Sequence, residues 1–485
     1  MDKMKKRTKS KPVPRWRKTK IVATLGPTSS NRAVQEAMIK AGMNVARVNF
    51  SHGDHLANGA LIDSVREAAT AAGRPVAVLQ DLCGPKIRIG DFTTETVRLK
   101  AGKKFTLTTK SVSGTVERVS VNYRRLPKEV FAGDSILLND GKLLLQVART
   151  TATDIECIVR IGGVIRGRRG VNVPDASLSI SAITPKDKRD LQFGLEKNVD
   201  FVTLSFVRRG KEVKQLRKLL GDKAGKIGVI AKIETREAIE NLDEIISLAD
   251  GIMVARGDLA IEIPREQVPI VQKNIIHKCN EAGKPVITAT QMLDSMREQE
   301  VPTRAEVNDV ANAVLDGSDA VMLSDETTVG SFPVLAVSAM AKIAEAAELH
   351  QESGQRRGYT KRESIYSISE SVALSIAREA SAIQAKAIVV FSETGRSAQL
   401  IARHRPTQPI IVATPHAHTY ARLLLVAGCY PELVESVSTI DTAISVSRTV
   451  LRRLRLVKEQ DVFVLSAGTT FGQQGSTNMF VVERI

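Results

Sequence analysis

Residues Ile227 to Ile263 read IGVIAKIETREAIENLDEIISLADGIMVARGDLAIEI, and the two apolar runs in this stretch, each closing in charged residues, decide the fold. IGVIAKIE is short, continuous and β-branched, the pattern of a parallel strand covered on both faces. A helical segment follows and then a second run, GIMVARGD, so the stretch reads strand, helix, strand. Residues two apart on a strand share a face, which sets Lys232 beside Glu234 at the end of the first run and Arg256 beside Asp258 at the end of the second. Consecutive parallel strands are commonly neighbours, so Glu234 and Asp258 are expected roughly 5 Å apart at backbone level. Two carboxylates that close repel unless a cation lies between them. A hard divalent ion such as Mg²⁺, with open positions for water and an anionic substrate, satisfies both. Lys232 adds a second positive charge. A structural ion pair at a strand end is the other reading of the same residues.

A chain of 485 residues exceeds one core and suggests two to four domains. With 43% hydrophobic and 25% charged residues the composition is that of a soluble globular protein, and no apolar run approaches the length of a membrane span. No secretory h-region opens the chain, so the cytoplasm is the expected compartment. Cys83, Cys157, Cys279 and Cys429 are scattered without a CxxC pair, which points to reduced thiols. The net charge is +17, but Met1 to Lys20 alone carries +9, so half the excess sits in a tail. Residues 1–17 read as a disordered basic arm, and no nucleic-acid-binding motif follows it.

Eight strand-like runs follow in order: KIVATLG (20–26), NVARVNF (44–50), VAVLQD (76–81), FVTLSF (201–206), IGVIAKIE (227–234), GIMVARGD (251–258), PVITAT (285–290) and AVMLSDET (320–327). Amphipathic helical segments such as AVQEAMIKAG and ALIDSVREAATAAG, each closed by Gly, lie between most of them. This predicts an α/β fold, a (β/α)₈ TIM barrel over 18–86 and 187–350 with its chemistry at the C-terminal strand ends. A doubly wound open sheet is the competitor. Residues 87–186 have a different texture, short strand-like pieces between Gly and Asp turns, and read as a small all-β lid inserted over the barrel mouth. The polar segment HQESGQRRGYTKRES reads as a linker, and 351–485 as a separate α/β domain.

Other strand ends are polar too. In NVARVNFSHG, Arg47, Asn49 and Ser51 share one face, where Arg suits a phosphoryl group and Asn with Ser supplies oxygens. Asp81 ends the third strand, and Lys86 and Arg88 follow at the lid entrance. Thr288 and Thr290 share a face on the seventh run, giving a hydroxyl near the metal. PTRAEVNDVANAVLDG opens on a capping box, Thr303 with Glu306, and is assigned to structure. No GxxxxGK[ST] is present, so a nucleotide must be held by side chains and the lid. A metal, a Lys, an Arg and a closing lid, without a nucleophile–base pair, suit phosphoryl transfer.

KTKIVATLGP, ARVNFSHG, DLCGPKIR, AKIE, MVARGDL, ITATQM, PTRAEVNDVANAVLDG and VMLSDET stand in the order found in pyruvate kinases, and the chain resembles that family along nearly its whole length. The resemblance implies phosphoryl transfer from phosphoenolpyruvate to ADP, giving pyruvate and ATP. It implies Mg²⁺, or Mn²⁺ in its place, on Glu234 and Asp258, and Lys232 stabilising the transferring group and the developing enolate. Arg47 would clamp the phosphoryl group, and Thr290 with the Gly257 and Asp258 amides would seat the carboxylate. Asn49, His52, Arg88 and Lys186 would lie along the nucleotide phosphates. Members that use K⁺ bind it at the positions of Asn49, Ser51, Asp81 and Leu82, with Thr usual at the last. Leu82, Lys86 (usually acidic) and Ile89 resemble instead the potassium-independent branch, with the Lys86 ammonium in place of K⁺. Ala260, where Gly is usual, and Asp325, where Gly or Ala is usual, are further departures. In SETGRS, the residues Ser392, Thr394, Gly395, Arg396 and Ser397 resemble the family's loop for phosphorylated effectors, although an ordinary capping turn fits them as well. A homotetramer is implied. The competing functions are another metal-dependent TIM-barrel enzyme acting on phosphoenolpyruvate or 2-oxo acids, and a non-catalytic paralogue with a polyanion-binding tail.

Overall fold

Strands such as Lys20–Leu25 and Gly251–Ala255 are buried at every position, which requires cover on both faces of their sheet. The computed structural model describes residues 16–354, 367–468 and 477–485. In it the strands Lys20–Leu25, Val45–Asn49, Ala77–Asp81, Phe201–Leu204, Gly228–Ile233, Gly251–Ala255, Val286–Ala289 and Ala320–Leu323 form one closed parallel barrel. The first strand closes it by pairing with both the second and the eighth, Val22 opposite Val45 and Lys20 opposite Ala320. Alternate residues split between two cores. Val22, Val45, Leu79, Phe201, Ile230 and Met253 fill the interior. Ile21, Ala46, Val78, Val202, Val229 and Ile252 pack outward beneath the helices.

Between the third strand and the helix Pro185–Glu196, a six-stranded sheet and a two-stranded sheet enclose their own apolar core of Phe105, Leu107, Ile136, Leu145 and Ile155. The C-terminal sheet has neighbour order Cys429–Leu433, Ile410–Thr414, Ile388–Phe391, Val462–Gly468, Thr477–Arg484, with the last strand antiparallel. Its first-named strand carries Pro431. Pro is tolerated there because the strand lies at the sheet edge.

Three expectations are corrected. GIMVARGD is not strand throughout: the strand ends at Ala255 and Arg256–Glu262 is a helix, so Asp258 sits in a first helical turn and shares no strand face with Arg256. Trp16 and Arg17 do not belong to a free tail. The Trp16 ring meets Tyr430 edge-on at 4.5 Å, and Arg17 Nη2 donates to Gly42 O and Asn44 Oδ1 at 2.5 and 2.7 Å. Lys186 belongs to a barrel helix capped by Thr184 rather than to the end of the lid. The rest of the basic arm and most of the linker lie outside the described residues. No helix among them is long and apolar enough to cross a membrane.

Candidate active site

The inward stripe of the barrel turns polar at its upper end. Counting by twos from the interior residues Val22, Val45, Leu79 and Ile230 leads to Thr24, Arg47, Asp81 and Lys232. These side chains meet. Arg47 donates to Asp81 Oδ2 from Nε at 2.9 Å and from Nη2 at 2.5 Å, and from Nη1 to Thr24 Oγ1 at 2.9 Å. Lys232 Nζ donates to Ser205 Oγ at 2.9 Å and lies 2.6 Å from Glu234 Oε1 and 3.8 Å from Asp81 Oδ2. Arg47 is therefore tied to a carboxylate at one of the positions where potassium-using members of the resembled family bind their ion. Adjacent strands in register put Asn49 opposite Asp81 and bring the two groups together.

Burial pushes the Asp81 carboxyl up, but Lys232, Arg47 and, more weakly, Lys86 hold it below the ordinary carboxylate range. Burial also works against the Lys232 ammonium, and Asp81, Glu234 and Asp258 together outweigh it and keep it charged. Glu234 is pushed the other way, above the usual range, by burial and by repulsion from Asp258, against the pull of Lys232. Glu234 is 1% exposed; its Oε2 accepts the Phe206 N–H at 2.7 Å, while Oε1 meets the Lys232 ammonium at 2.6 Å. A buried carboxylate that a second carboxylate repels is a donor set that a hard divalent cation fits. Among the described residues no group of three or more His, Cys, Asp or Glu gathers as a metal cluster, so the fit rests on this pair.

Thr290 has φ 74, a conformation that β-branched residues rarely adopt, and Gln291 follows at φ 55. Arg256 holds this turn by donating to Ala289 O at 3.1 Å and Thr290 O at 2.7 Å. Thr288 does not share the face expected for it with Thr290. Its side chain is buried against Ser318 Oγ at 2.7 Å, because the strand ends at Ala289 and the turn re-aims the next residue. Thr290 instead lies against Gly257: a Cβ at Gly257 would fall 2.9 Å from Thr290 Cγ2.

Ser51 lies beyond the strand end, its N–H donating to Asn49 Oδ1 at 3.0 Å. Leu82 is buried in the barrel's outer core, and its carbonyl accepts from Ser205 Oγ at 2.7 Å. Burial and the charges of Lys86, Arg88 and Arg47 lower the His52 imidazole below its usual value, with Asp325 opposing them. Arg88 belongs to the lid, its Nη1 donating to Arg168 O at 2.9 Å. Lys186 Nζ donates to Phe50 O and Asp190 Oδ2, both at 2.6 Å. Between lid and barrel rim runs a cleft of about 450 Å³, lined among others by Lys86, Arg88, Phe206, Asp258 and Glu262. Ser205 and Phe206 were not expected here. Their run FVTLSF ends without a charge, and only Phe206's positive φ of 54 marks it once the backbone is known.

In the C-terminal domain the SETGRS turn satisfies itself. Gly395, φ 82, donates its N–H to Ser392 Oγ at 3.0 Å, and Arg396 N–H reaches Thr394 Oγ1 at 3.5 Å. Ser397 Oγ bonds Thr477 Oγ1. The Arg396 side chain turns away from the loop, its Nη1 donating to Gly283 O at 3.1 Å beyond the end of the helix Val268–Ala282. It ties the loop to the barrel.

A family model described as the pyruvate kinase barrel domain matches residues 16–337, and one for the pyruvate kinase alpha/beta domain matches 370–483. A pyruvate kinase of Geobacillus stearothermophilus is 45% identical over 472 residues, spanning 97% of this chain and 80% of the relative. One from Clostridium acetobutylicum is 40% identical over 96% of this chain and 99% of its own length. The crystal structure of a pyruvate kinase from Cryptosporidium parvum superposes with a TM-score of 0.91 at 37% identity, covering 96% of both chains. With a closed eight-stranded barrel, a charged stripe at its rim and matches across almost every described residue, the chain belongs to the pyruvate kinase family of phosphotransferases.

Proposed function

We propose that this chain transfers the phosphoryl group of phosphoenolpyruvate to ADP in a Mg²⁺-dependent reaction, with Mn²⁺ as a substitute ion, and requires no K⁺. The bond from phosphorus to the enol oxygen breaks and one to a terminal β-phosphate oxygen of ADP forms. The electron pair stays on the enol oxygen until C3 takes a proton to give pyruvate. The observation that carries this reading is the set of two cations, Arg47 and Lys232, among the buried carboxylates Asp81 and Glu234 and the half-buried Asp258, which lines the cleft. Such transfer depends mainly on positioning and charge neutralisation. Lys232 sets a permanent positive charge where charge develops on the transferring group and the enol oxygen. Arg47 grips the phosphoryl oxygens, and its ties to Asp81 and Thr24 hold the guanidinium in place. Thr290 and the amides of Gly257 and Asp258 seat the carboxylate. Glu234 and Asp258 would hold Mg²⁺, which when bound would supply Lewis-acid charge to the transfer. Asn49, His52, Arg88 and Lys186 line the ADP phosphates, and the lid excludes water.

The test is pyruvate release from phosphoenolpyruvate with Mg²⁺, with and without ADP. ADP-dependent release supports the reading, whereas no ADP-dependent release of pyruvate overturns it and favours a mutase or aldolase. Lys86 supports independence from K⁺, because its charge acts on Asp81 and Leu82 presents no side-chain oxygen. KCl at constant ionic strength should leave the rate unchanged, and a many-fold stimulation overturns that part.

A regulatory reading is favoured by topology. The strand Ile388–Phe391 has Ile410–Thr414 on one side and Val462–Gly468 on the other, so the loop carrying Ser392, Thr394, Gly395 and Ser397 opens at the point where the sheet order reverses. A phosphorylated metabolite is the proposed effector there. Isothermal titration with sugar and nucleoside monophosphates decides between that and a plain turn. A cytoplasmic homotetramer completes the reading, and light scattering on the purified chain checks the assembly.

A further inference from the structure

A buried carboxylate outside the catalytic stripe is shared by an ammonium and an imidazole on the shoulder of the barrel. Asp190, on the helix Pro185–Glu196, is 2% exposed. One of its oxygens accepts from Lys186 Nζ at 2.6 Å, and the other lies 2.8 Å from His55 Nε2. Lys186 stands one turn back on the same helix face, the spacing at which side chains meet. Its ammonium also donates to Phe50 O at 2.6 Å, in the turn that carries Asn49, Ser51 and His52. The carboxylate therefore links two segments, the turn after the second strand and the helix that follows the lid.

Each partner is braced in turn. The Asp190 carbonyl accepts from Gln80 Nε2 at 2.6 Å, and the helix can approach Gln80 because residue 194 is glycine: a Cβ there would fall 2.1 Å from Gln80 Oε1. The His55 ring stacks on Phe193 with centroids 4.5 Å apart and planes 11° from parallel. Asn58 Nδ2 ties the other side of the turn by donating to His52 O at 3.1 Å. A lysine that must be ordered on binding an anion loses the freedom of a long side chain, and one already held gives up less.

We propose that Asp190 is a positioning residue for the nucleotide phosphates, holding the Lys186 ammonium against the Phe50 turn so that it meets ADP already ordered. This rests on the reading of Lys186 as a nucleotide contact. Asp190 touches no substrate and acts only through the lysine. The full-length chain is assayed for kcat and for the KM of ADP and of phosphoenolpyruvate as Lys186→Met, Asp190→Asn and the double variant, with thermal unfolding measured alongside. Lys186→Met is expected to raise the KM of ADP about tenfold, and Asp190→Asn roughly fivefold, with kcat and the KM of phosphoenolpyruvate within about twofold of the parent. The double variant should be no worse than Lys186→Met alone. An unchanged KM of ADP in Asp190→Asn while Lys186→Met is impaired overturns the positioning role, as do additive effects in the double variant. An unchanged KM in Lys186→Met overturns the nucleotide reading of the lysine, and the proposal with it. Should Asp190→Asn fail to fold, Asp190→Glu is read instead. Its charge is kept while its carboxylate is displaced, so a selective rise in the KM of ADP is expected and an unchanged value overturns the proposal.

Discussion

Arg47 and Lys232 occupy positions that on the lower turns of the same strands belong to Val45 and Ile230, so each strand exchanges an apolar interior residue for a charged one at the barrel rim. Burying such charges is costly unless they are paired, and here each cation has a carboxylate within 2.6 Å. Lys232 and Glu234 were legible in the sequence because a period of two carries the inward face past the end of the apolar run. The Arg47–Asp81 pair was not, since strand register leaves no mark on either strand taken alone. Gly257 and Thr290 give the residue-scale prediction. A methyl added at Gly257 meets Thr290 Cγ2 at 2.9 Å. Gly257→Ala should lower kcat/KM for phosphoenolpyruvate by about ten- to a hundredfold, with little change in the KM of ADP. The Gly257→Ala, Thr290→Ser double variant removes the clashing methyl and should regain most of that loss in steady-state assays; no recovery would refute the contact as the cause.

The element boundaries that the sequence hid are those without a chemical marker. The helix Arg256–Glu262 starts after Ala255, which makes no side-chain cap, so nothing in GIMVARGD separates strand from helix. By contrast, Thr303 and Glu306 form the capping box expected of them, and Gly42 and Gly73 close their helices as read. The lid is joined to the barrel by a similarly unmarked residue. Arg208 donates to the carbonyls of Leu178 and Ile180 on the lid's return segment, and its Nη2 lies 2.9 Å from Glu212 Oε1. Arg208→Met leaves those carbonyls without their donor. Limited proteolysis between Pro174 and Ser181 should then accelerate several-fold while cleavage elsewhere keeps its rate, and an unchanged pattern would mean that the clasp does not hold the segment.

On the scale of the molecule, the C-terminal domain covers the end of the barrel opposite the active site. Leu424 and Leu425 join the interior core, Arg405 reaches Asp319 at 3.1 Å, and Arg422 reaches Asp250 at 3.1 Å. Trp16 and Arg17 were read as tail because a run of basic residues looks solvated, whereas Tyr430, which packs on Trp16, lies far away in sequence. Lys20 is buried in this seam, donating from Nζ to Cys429 O at 2.6 Å and lying 4.3 Å from the centre of the Tyr430 ring. Burial lowers its ammonium from 10.5 to about 8, with Arg17 adding to the shift and Cys429, Glu348 and Asp319 opposing it. Between those two values the unfolded chain holds a proton that the folded chain has released, so the contribution of Lys20 to stability rises with pH across that window. Denaturant unfolding of the parent and of Lys20→Met should show the parent gaining on the variant by on the order of 3 kcal/mol from about pH 7 to about pH 11. A difference that stays flat with pH would contradict a buried, desolvated ammonium at the seam.

The central claim is that Lys232 neutralises charge on the group in flight, and the most direct test is the pyruvate-forming rate of Lys232→Met with saturating phosphoenolpyruvate, ADP and Mg²⁺. The account predicts a fall in kcat of about a hundredfold or more with the KM values of both substrates near those of the parent. A kcat within a few-fold of the parent would contradict it.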